Sequence, residues 1–292
     1  MRTLASAAIM LVAAFVSASG FPLTVLYTND LHVRVDRLDG LAATIEAVRS
    51  TDDVVLWLDA GDGWHDYRRP LPAVWGSEMM TSWMNVTGLA AMALGNHETY
   101  LGPQRLSDRM AEAVFPVLAA NWLSNDPRID VRPSITLNME DASILVVGLI
   151  TPEFLPIYAY PMMTYVDPLT AVRNELARHS GASDLVIVLA HLSIARARIL
   201  ARHVPGIDLV VTGHSHERTD DPIVEGTTTI VQSGAFGEAL GCVRLDVADG
   251  GVSILSNELI AIEEAPVDNR AGALKLLRVL TAILLATAVW WI

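Results

Sequence analysis

The chain has 292 residues, enough to bury a substantial core in one large domain or two small ones. Its 33 acidic residues outnumber 20 basic ones, and the formal net charge of -13 argues against a partner gripped through its phosphate backbone, so nucleic acid is not an expected partner. A lone cysteine, Cys242, rules out an internal disulfide framework; set in the apolar run Ala239 to Val247, it reads as a buried structural thiol and not a nucleophile.

In chain order, residues 1–20 combine Arg2, an apolar run from Leu4 to Val16 and the small residues Ser17 to Gly20. This order predicts a secretory signal peptide cleaved near Gly20, since the apolar run is shorter than the roughly 20 residues of a spanning helix. Strand-like runs follow at Leu23 to Tyr27, Val54 to Leu58, Ala90 to Leu94, Val117 to Ala120, Ile144 to Leu149, Leu185 to Leu189 and Leu209 to Val211. Their unbroken apolar character suits strands buried on both faces. Helical segments are expected between them at Leu38 to Arg49, Trp75 to Trp83, Leu106 to Ala113, Pro168 to Arg178 and Ile194 to His203, giving an α/β fold. After Thr219, four strand-like stretches divided by Gly or Asp-Gly turns, Pro222 to Val224, Thr227 to Gln232, Ala239 to Val247 and Val252 to Ile262, read as antiparallel. No repeat or compositional break divides the chain before about Glu264, which predicts one domain over 21–263 and a linker over 264–273. A tail over 274–292, whose apolar run Val279 to Ile292 is preceded by Lys275 and Arg278 and carries Trp290 and Trp291 near its end, reads either as a removed lipid-anchor signal or as a direct tail anchor. Either reading places the protein in the secretory pathway, extracellular or at the cell surface; membrane contact is through the C-terminal tail if it is retained and through the lipid if it is replaced.

Five stretches put metal-binding side chains just after strand-like runs: Thr28-Asn29-Asp30-Leu31-His32, Gly61-Asp62-Gly63, Gly95-Asn96-His97-Glu98, Ala190-His191-Leu192 and Gly213-His214-Ser215-His216. Carboxylate, amide oxygen and imidazole together suit hard to borderline divalent ions such as Zn, Mn, Fe, Co or Mg. Asp30, His32, Asp62, Asn96, His191, His214 and His216 are more ligands than one ion usually takes, so two ions sharing a carboxylate are expected, with Asp62 as the bridge. On extended backbone, residues two apart face the same way, which makes Asp30 with His32, and His214 with His216, each a pincer on one ion. Asn96 and His97 would act catalytically, Asn96 as a ligand and His97 turned elsewhere as a proton donor or charge stabiliser. Trp64, His65, Tyr67, Arg68 and Arg69 are candidates to line the mouth, and Trp122 is a candidate stacking residue, although an exposed loop and core packing explain them equally simply.

These motifs, with Asp59-Ala60-Gly61-Asp62, Ala91 to Glu98, Phe115 to Asn121, Pro205 to Val211 and Val231 to Gly241, resemble the calcineurin-like metallophosphoesterases, and within them the metal-binding domain of a 5'-nucleotidase. The resemblance runs from about Leu23 to Ile262 and implies a four-layer αββα sandwich of two mixed β-sheets. It implies Asp30, His32, Asp62 and His216 around one ion, and Asp62, Asn96, His191 and His214 around the other, with His97 as the catalytic histidine. The implied activity is phosphoester hydrolysis by metal-activated water, on a small-molecule phosphoester such as a nucleotide. Related phosphodiester, nucleotide-sugar or sulfur-ester hydrolysis, or a catalytically silent metal-binding surface protein, are the alternatives. Two departures stand out. The family's Asp that orients the catalytic histidine is replaced by Tyr100, and the sequence ends before the second domain that carries a nucleotidase's aromatic clamp.

Overall fold

Strands that are apolar on both faces need cover on both, and here two stacked sheets and two outer helical layers supply it. The computed structural model describes residues 20–66, 68, 72–179, 183–248 and 251–263. The expected linker and tail, and all of the expected signal peptide but Gly20, lie outside the described residues. Along the chain run β1 (Phe21–Thr28), α1 (Leu38–Arg49), β2 (Val55–Asp59), α2 (Pro72–Thr87), β3 (Ala91–Ala93), the single turn α3 (Asn96–Thr99), α4 (Gly102–Glu112), β4 (Val117–Leu118), β5 (Trp122–Ser124) and β6 (Ser134–Asn138). They are followed by β7 (Ser143–Ile150), β8 (Met163–Tyr165), α5 (Pro168–Arg178), β9 (Leu185–His191), α6 (Ile194–His203), β10 (Leu209–Thr212), β11 (Ile223–Glu225), β12 (Thr228–Val231), β13 (Ala239–Ala248) and β14 (Gly251–Ala261).

The first sheet has the order β14-β13-β1-β2-β3-β4 and the second β11-β12-β10-β9-β7-β6, with β5 and β8 forming a separate pair. Alternation along each strand divides its side chains between two layers. Val25, Tyr27, Leu56, Leu58, Ala91 and Ala93 of the first sheet meet Ile144, Val146, Ile187, Leu189, Leu209 and Val211 of the second in one inner core. Leu26, Trp57 and Met92 face outward to α1, α2 and α4, and Val147, Val188 and Val210 face α5 and α6. The αββα sandwich follows. In α1 the buried residues Leu38, Leu41, Ile45 and Val48 recur at helical spacing, and α5 starts where the Asp167 side chain accepts a hydrogen bond from Thr170 N at 2.9 Å, with Pro168 in the first turn. Gly148 lets β7 pass the first sheet closely, because a Cβ there would lie 2.3 Å from Leu118 Cβ.

Three differences from the sequence reading have physical causes. The short strands β5, β6 and β8 were not expected; β6 carries only Ile135 and Leu137 as its apolar alternation and pairs as an edge strand with β7. The four last strands do form hairpins, β11 with β12 and β13 with β14, yet the hairpins part company. One enters the second sheet with β12 parallel to β10, and the other enters the first sheet beside β1. Local turn chemistry makes a hairpin but does not choose its outer neighbour. Cys242 is fully buried, as expected. Among the described residues no helix is long and apolar enough to cross a membrane.

Candidate metal centre

Strands β1, β2 and β3 run parallel, as do β9 and β10, and the turns at the carboxyl ends of both groups converge. Asp30 and His32 follow β1, Asp62 follows β2, Asn96 and His97 open α3 just after β3, His191 ends β9, and His214 and His216 follow β10. All eight residues singled out from the sequence come together. The backbone that delivers them is not the extended chain expected. Asp30, His32, Asp62, His214 and His216 all have positive φ, between 47° and 68°, a left-handed conformation that side chains rarely adopt and that clusters at functional sites. Five of the eight such non-glycine residues among the described ones belong to this centre.

The left-handed turns also correct the pincer geometry. Asp30 and His32 do approach the same place, with Oδ1 and Nε2 3.7 Å apart, but His214 and His216 diverge. His216 Nε2 lies 3.2 Å from Asp30 Oδ1 and 3.1 Å from His32 Nε2, whereas His214 Nδ1 lies 3.1 Å from Asn96 Oδ1. Asp62 Oδ2 is 3.1 Å from His191 Nε2, which is itself 3.1 Å from Asn96 Oδ1. Two donor sets therefore form, one on each side of Asp62. Asp30-His32-His216, His32-Asp62-His97 and Asp30-Asp62-His191 each have ligand atoms within 4.8 Å of one another.

The partners behind the histidines define where their lone pairs point. A carbonyl only accepts, so His191 Nδ1 donates to Ala60 O at 2.8 Å, and His32 Nδ1 and His97 Nδ1 both donate to His65 O at 3.2 Å. Their Nε2 atoms face the centre as bare acceptors when the rings are neutral. His214 is turned round: its Nε2 donates to Glu153 Oε2 at 3.2 Å and its Nδ1 faces inward. With neutral rings, nitrogen lone pairs would meet oxygen lone pairs at hydrogen-bond distance, and without a metal a proton on His191 Nε2, hydrogen-bonded to Asp62, fills one of these contacts. Asp30 shows the same shortage, since Oδ2 accepts from Asn29 Nδ2 at 2.7 Å and His214 N at 2.9 Å, while the buried Oδ1 makes no hydrogen bond. Cations are what such a ring of acceptors lacks, and oxygen with imidazole nitrogen is a fitting donor set for divalent ions. The electrostatics agree. Burial disfavours charge on His191, yet the Asp62 charge and hydrogen bond, with Asp30, raise its pKa; burial likewise works against ionised Asp62, and His191 outweighs it to hold that carboxyl below the usual range.

Several positioning residues escaped the sequence reading. Glu98 is fully buried, and its carboxylate accepts from Gly95 N, Asp62 N and Trp64 N at 2.9, 3.0 and 2.9 Å, locking the β2 turn to the β3 turn. Its signal is local: an acidic residue in the first turn of a helix, three after Gly95. Gly95 must be glycine, because a Cβ would lie 2.1 Å from Asp62 Oδ1. Asn29 holds the β1 turn against the chain beyond β12, its Oδ1 accepting from Ser233 N at 2.9 Å and its Nδ2 donating to Gly234 O at 2.6 Å. Glu153, kept ionised by hydrogen bonds from Arg196, had no local signal at all.

The expected mouth is only partly borne out. Trp64 is wholly buried and packs near Phe115, and Trp122 is buried in the same core, so neither stacks on a ligand. His65 is buried, with its ring stacked on Tyr100 at 5.7 Å. Arg68 is at the surface, 5.1 Å above the Phe236 ring, which packs against His32 and His216. Tyr67 and Arg69 lie outside the described residues.

The profile of the calcineurin-like phosphoesterases matches residues 23–218. The chain belongs to that family. It is 30% identical to a 5'-nucleotidase of Diplobatis ommata over 281 residues, covering 80% of this chain and 48% of that one. Among solved structures it resembles a 5'-nucleotidase precursor from Thermus thermophilus, with a TM-score of 0.77 at 23% identity over 91% of this chain and 60% of the other. It also resembles the sulfate thiohydrolase SoxB of Thermus thermophilus, with a TM-score of 0.72 at 21% identity over 82% and 56%. The chain spans about half the length of the curated relatives it matches. Calcineurin-like phosphoesterases use two divalent metals, and the donor sets on either side of Asp62 fit that requirement.

Proposed function

We propose that this protein is a dinuclear phosphomonoesterase acting on small phosphoesters, nucleotides foremost. The observation that carries the reading is the position of Asp62 between two groups of carboxylate, amide-oxygen and imidazole side chains whose ligand atoms converge on it. Asp30, His32, Asp62 and His216 would hold one ion, and Asp62, Asn96, His191 and His214 the other. Two divalent ions held there would acidify a water for in-line attack at phosphorus and stabilise charge on the attacking and leaving oxygens. The protein's part is arrangement. Glu98 and Asn29 fix the turns that bear the carboxylates, and the His65 and Ala60 carbonyls set the tautomers of His32, His97 and His191. His97 turns to the side of the centre away from Asn96, beside His32 at a ring separation of 4.6 Å, with Nε2 4.0 Å from Asp62 Oδ2. Burial pulls its pKa down to about 4, so from there it would donate to the leaving or transferring oxygen through the minority form protonated at Nε2. Its Nδ1 rests on the His65 carbonyl, a hold that does not need the family's Asp at position 100.

The domain reading is a globular unit over 21–263, supported by β1 starting at Phe21 and β14 ending at Ala261. Export rests on the charged, apolar and small-residue order of residues 1–20, and surface attachment on the apolar tail over 274–292. Edman sequencing of the product secreted by expressing cells would begin near Phe21, and a product still starting at Met1 would reject export. For activity, the test is metal analysis of the purified chain with a panel of phosphomonoesters, phosphodiesters, nucleotide sugars and a sulfur ester, with and without chelator. Two equivalents of divalent metal and chelator-sensitive release of phosphate from nucleoside monophosphates are expected. Bound metal without hydrolysis of any ester would sink the enzymatic reading.

A further inference from the structure

The loop after β7 leaves an apolar edge beside the metal centre. Phe154, Tyr158 and Tyr160 are the exposed aromatic side chains among the described residues, and Ile157 between them is 87% exposed. An exposed cluster of this kind next to a polar centre marks a surface meant to be covered by a ligand. The loop is firmly held. Glu153 joins His214 to Arg196, Leu155 and Ala159 are buried in the core, the Tyr100 hydroxyl donates to Phe154 O at 2.8 Å, and the Tyr158 hydroxyl donates to Tyr100 O at 3.1 Å. Phe154 itself takes a left-handed φ of 56°, costly for a bulky residue, and yet its ring is 72% exposed instead of buried. That ring lies 5.8 Å from the ring of His214, next to the inner ligands but outside them.

We infer that Phe154 is a specificity residue that stacks on the base of a nucleoside monophosphate while the phosphate occupies the metal centre. The inference rests on the phosphomonoesterase reading above. The opening runs along His97, His214 and His216, whose side chains are 12%, 10% and 33% exposed while Asp30 and Asp62 are buried, and the widest part of it lies on the side of His214 and His216. The first aromatic face on the His214 side of the opening is Phe154. The position where the family places an Asp for the catalytic histidine then has another use, since the Tyr100 hydroxyl holds the Phe154 carbonyl in place.

The test compares AMP with ribose 5-phosphate, which differ in the base, using metal-loaded full-length protein and the variants Phe154→Ala and Phe154→Trp. Stacking on an aromatic residue predicts that wild type prefers AMP, and that Phe154→Ala lowers the AMP to ribose 5-phosphate ratio of kcat/KM by at least about fivefold. The loss should appear in KM for AMP, and Phe154→Trp should keep the ratio. A ratio unchanged in Phe154→Ala, including a uniform fall for both substrates, overturns the inference. So does a wild type that hydrolyses both esters equally well, an outcome that leaves the phosphomonoesterase reading standing. No chelator-sensitive hydrolysis of either ester in wild type brings down that reading and this one together.

Discussion

The first sheet contributes every candidate oxygen ligand to the proposed centre, and the second contributes only imidazoles. Asp30, Asp62 and Asn96 are buried on turns after β1, β2 and β3, and those turns are stitched together by backbone hydrogen bonds such as Asp30 N to Gly61 O at 2.8 Å and His32 N to Asp62 O at 2.9 Å. His191, His214 and His216 come from the second sheet, and the last two reach toward solvent. Fixed negative charge sits deep and adaptable neutral ligands sit at the opening. A buried carboxylate needs its geometry imposed, because it is costly without partners, while an imidazole can be neutral and partly exposed.

That contrast can be broken by substitution. Asp62→Asn should be the most damaging, since both ions lose a ligand: turnover is expected to fall beyond about 10⁴-fold, the upper end for loss of a general acid, with bound metal dropping alongside. Retained two-metal stoichiometry in this variant would contradict the bridging position. His97→Ala should cost roughly 10² to 10⁴-fold in kcat with metal content intact, as read by elemental analysis and steady-state kinetics. Unchanged turnover would remove His97 from the mechanism.

Smaller effects separate the two flanks. Asn29→Ala on the first-sheet side loses the hydrogen bond that orients Asp30, and Glu153→Ala on the second-sheet side loses the one that orients His214. Outer partners of this kind are worth about 10 to 100-fold in metal affinity; Asn29→Ala is expected near the top of that range and Glu153→Ala near the bottom. Metal titration giving the reverse order would show that the oxygen side is not the rigid one. Glu98→Ala strands three buried N–H groups and should lower unfolding free energy by about 3 kcal/mol, measured by denaturant titration of the metal-free chain. A change below about 0.5 kcal/mol would mean that the turns hold themselves.

Much of this was legible residue by residue. The bounds of α1, α5 and α6 match the sequence pattern, because amphipathic spacing, Asp167-Pro168 and flanking turns act locally. The seven candidate ligands and His97 could be picked out because each follows an apolar run, and the structure brings them together. Trp64 shows the limit: it sits two residues from Asp62 and was a candidate for the mouth, but the chain turns its ring into the core against Phe115. Glu153 and the His65 carbonyl had no signal, since a glutamate in a loop and a backbone oxygen look the same wherever they lie.

Sequence alone determined the strand and helix alternation, the chemistry of the ligand set and the use of strand ends to present it, all of which depend on side-chain type and spacing over a few residues. Tertiary structure decided which hairpin joined which sheet, which nitrogen of each histidine faces inward, and that His214 and His216 serve opposite sides of Asp62. Those outcomes depend on left-handed turns and on partners up to 205 residues away, as in the bond from Asn29 to Gly234. No local pattern carries that information, because the energy that selects it exists only once the two sheets are packed together.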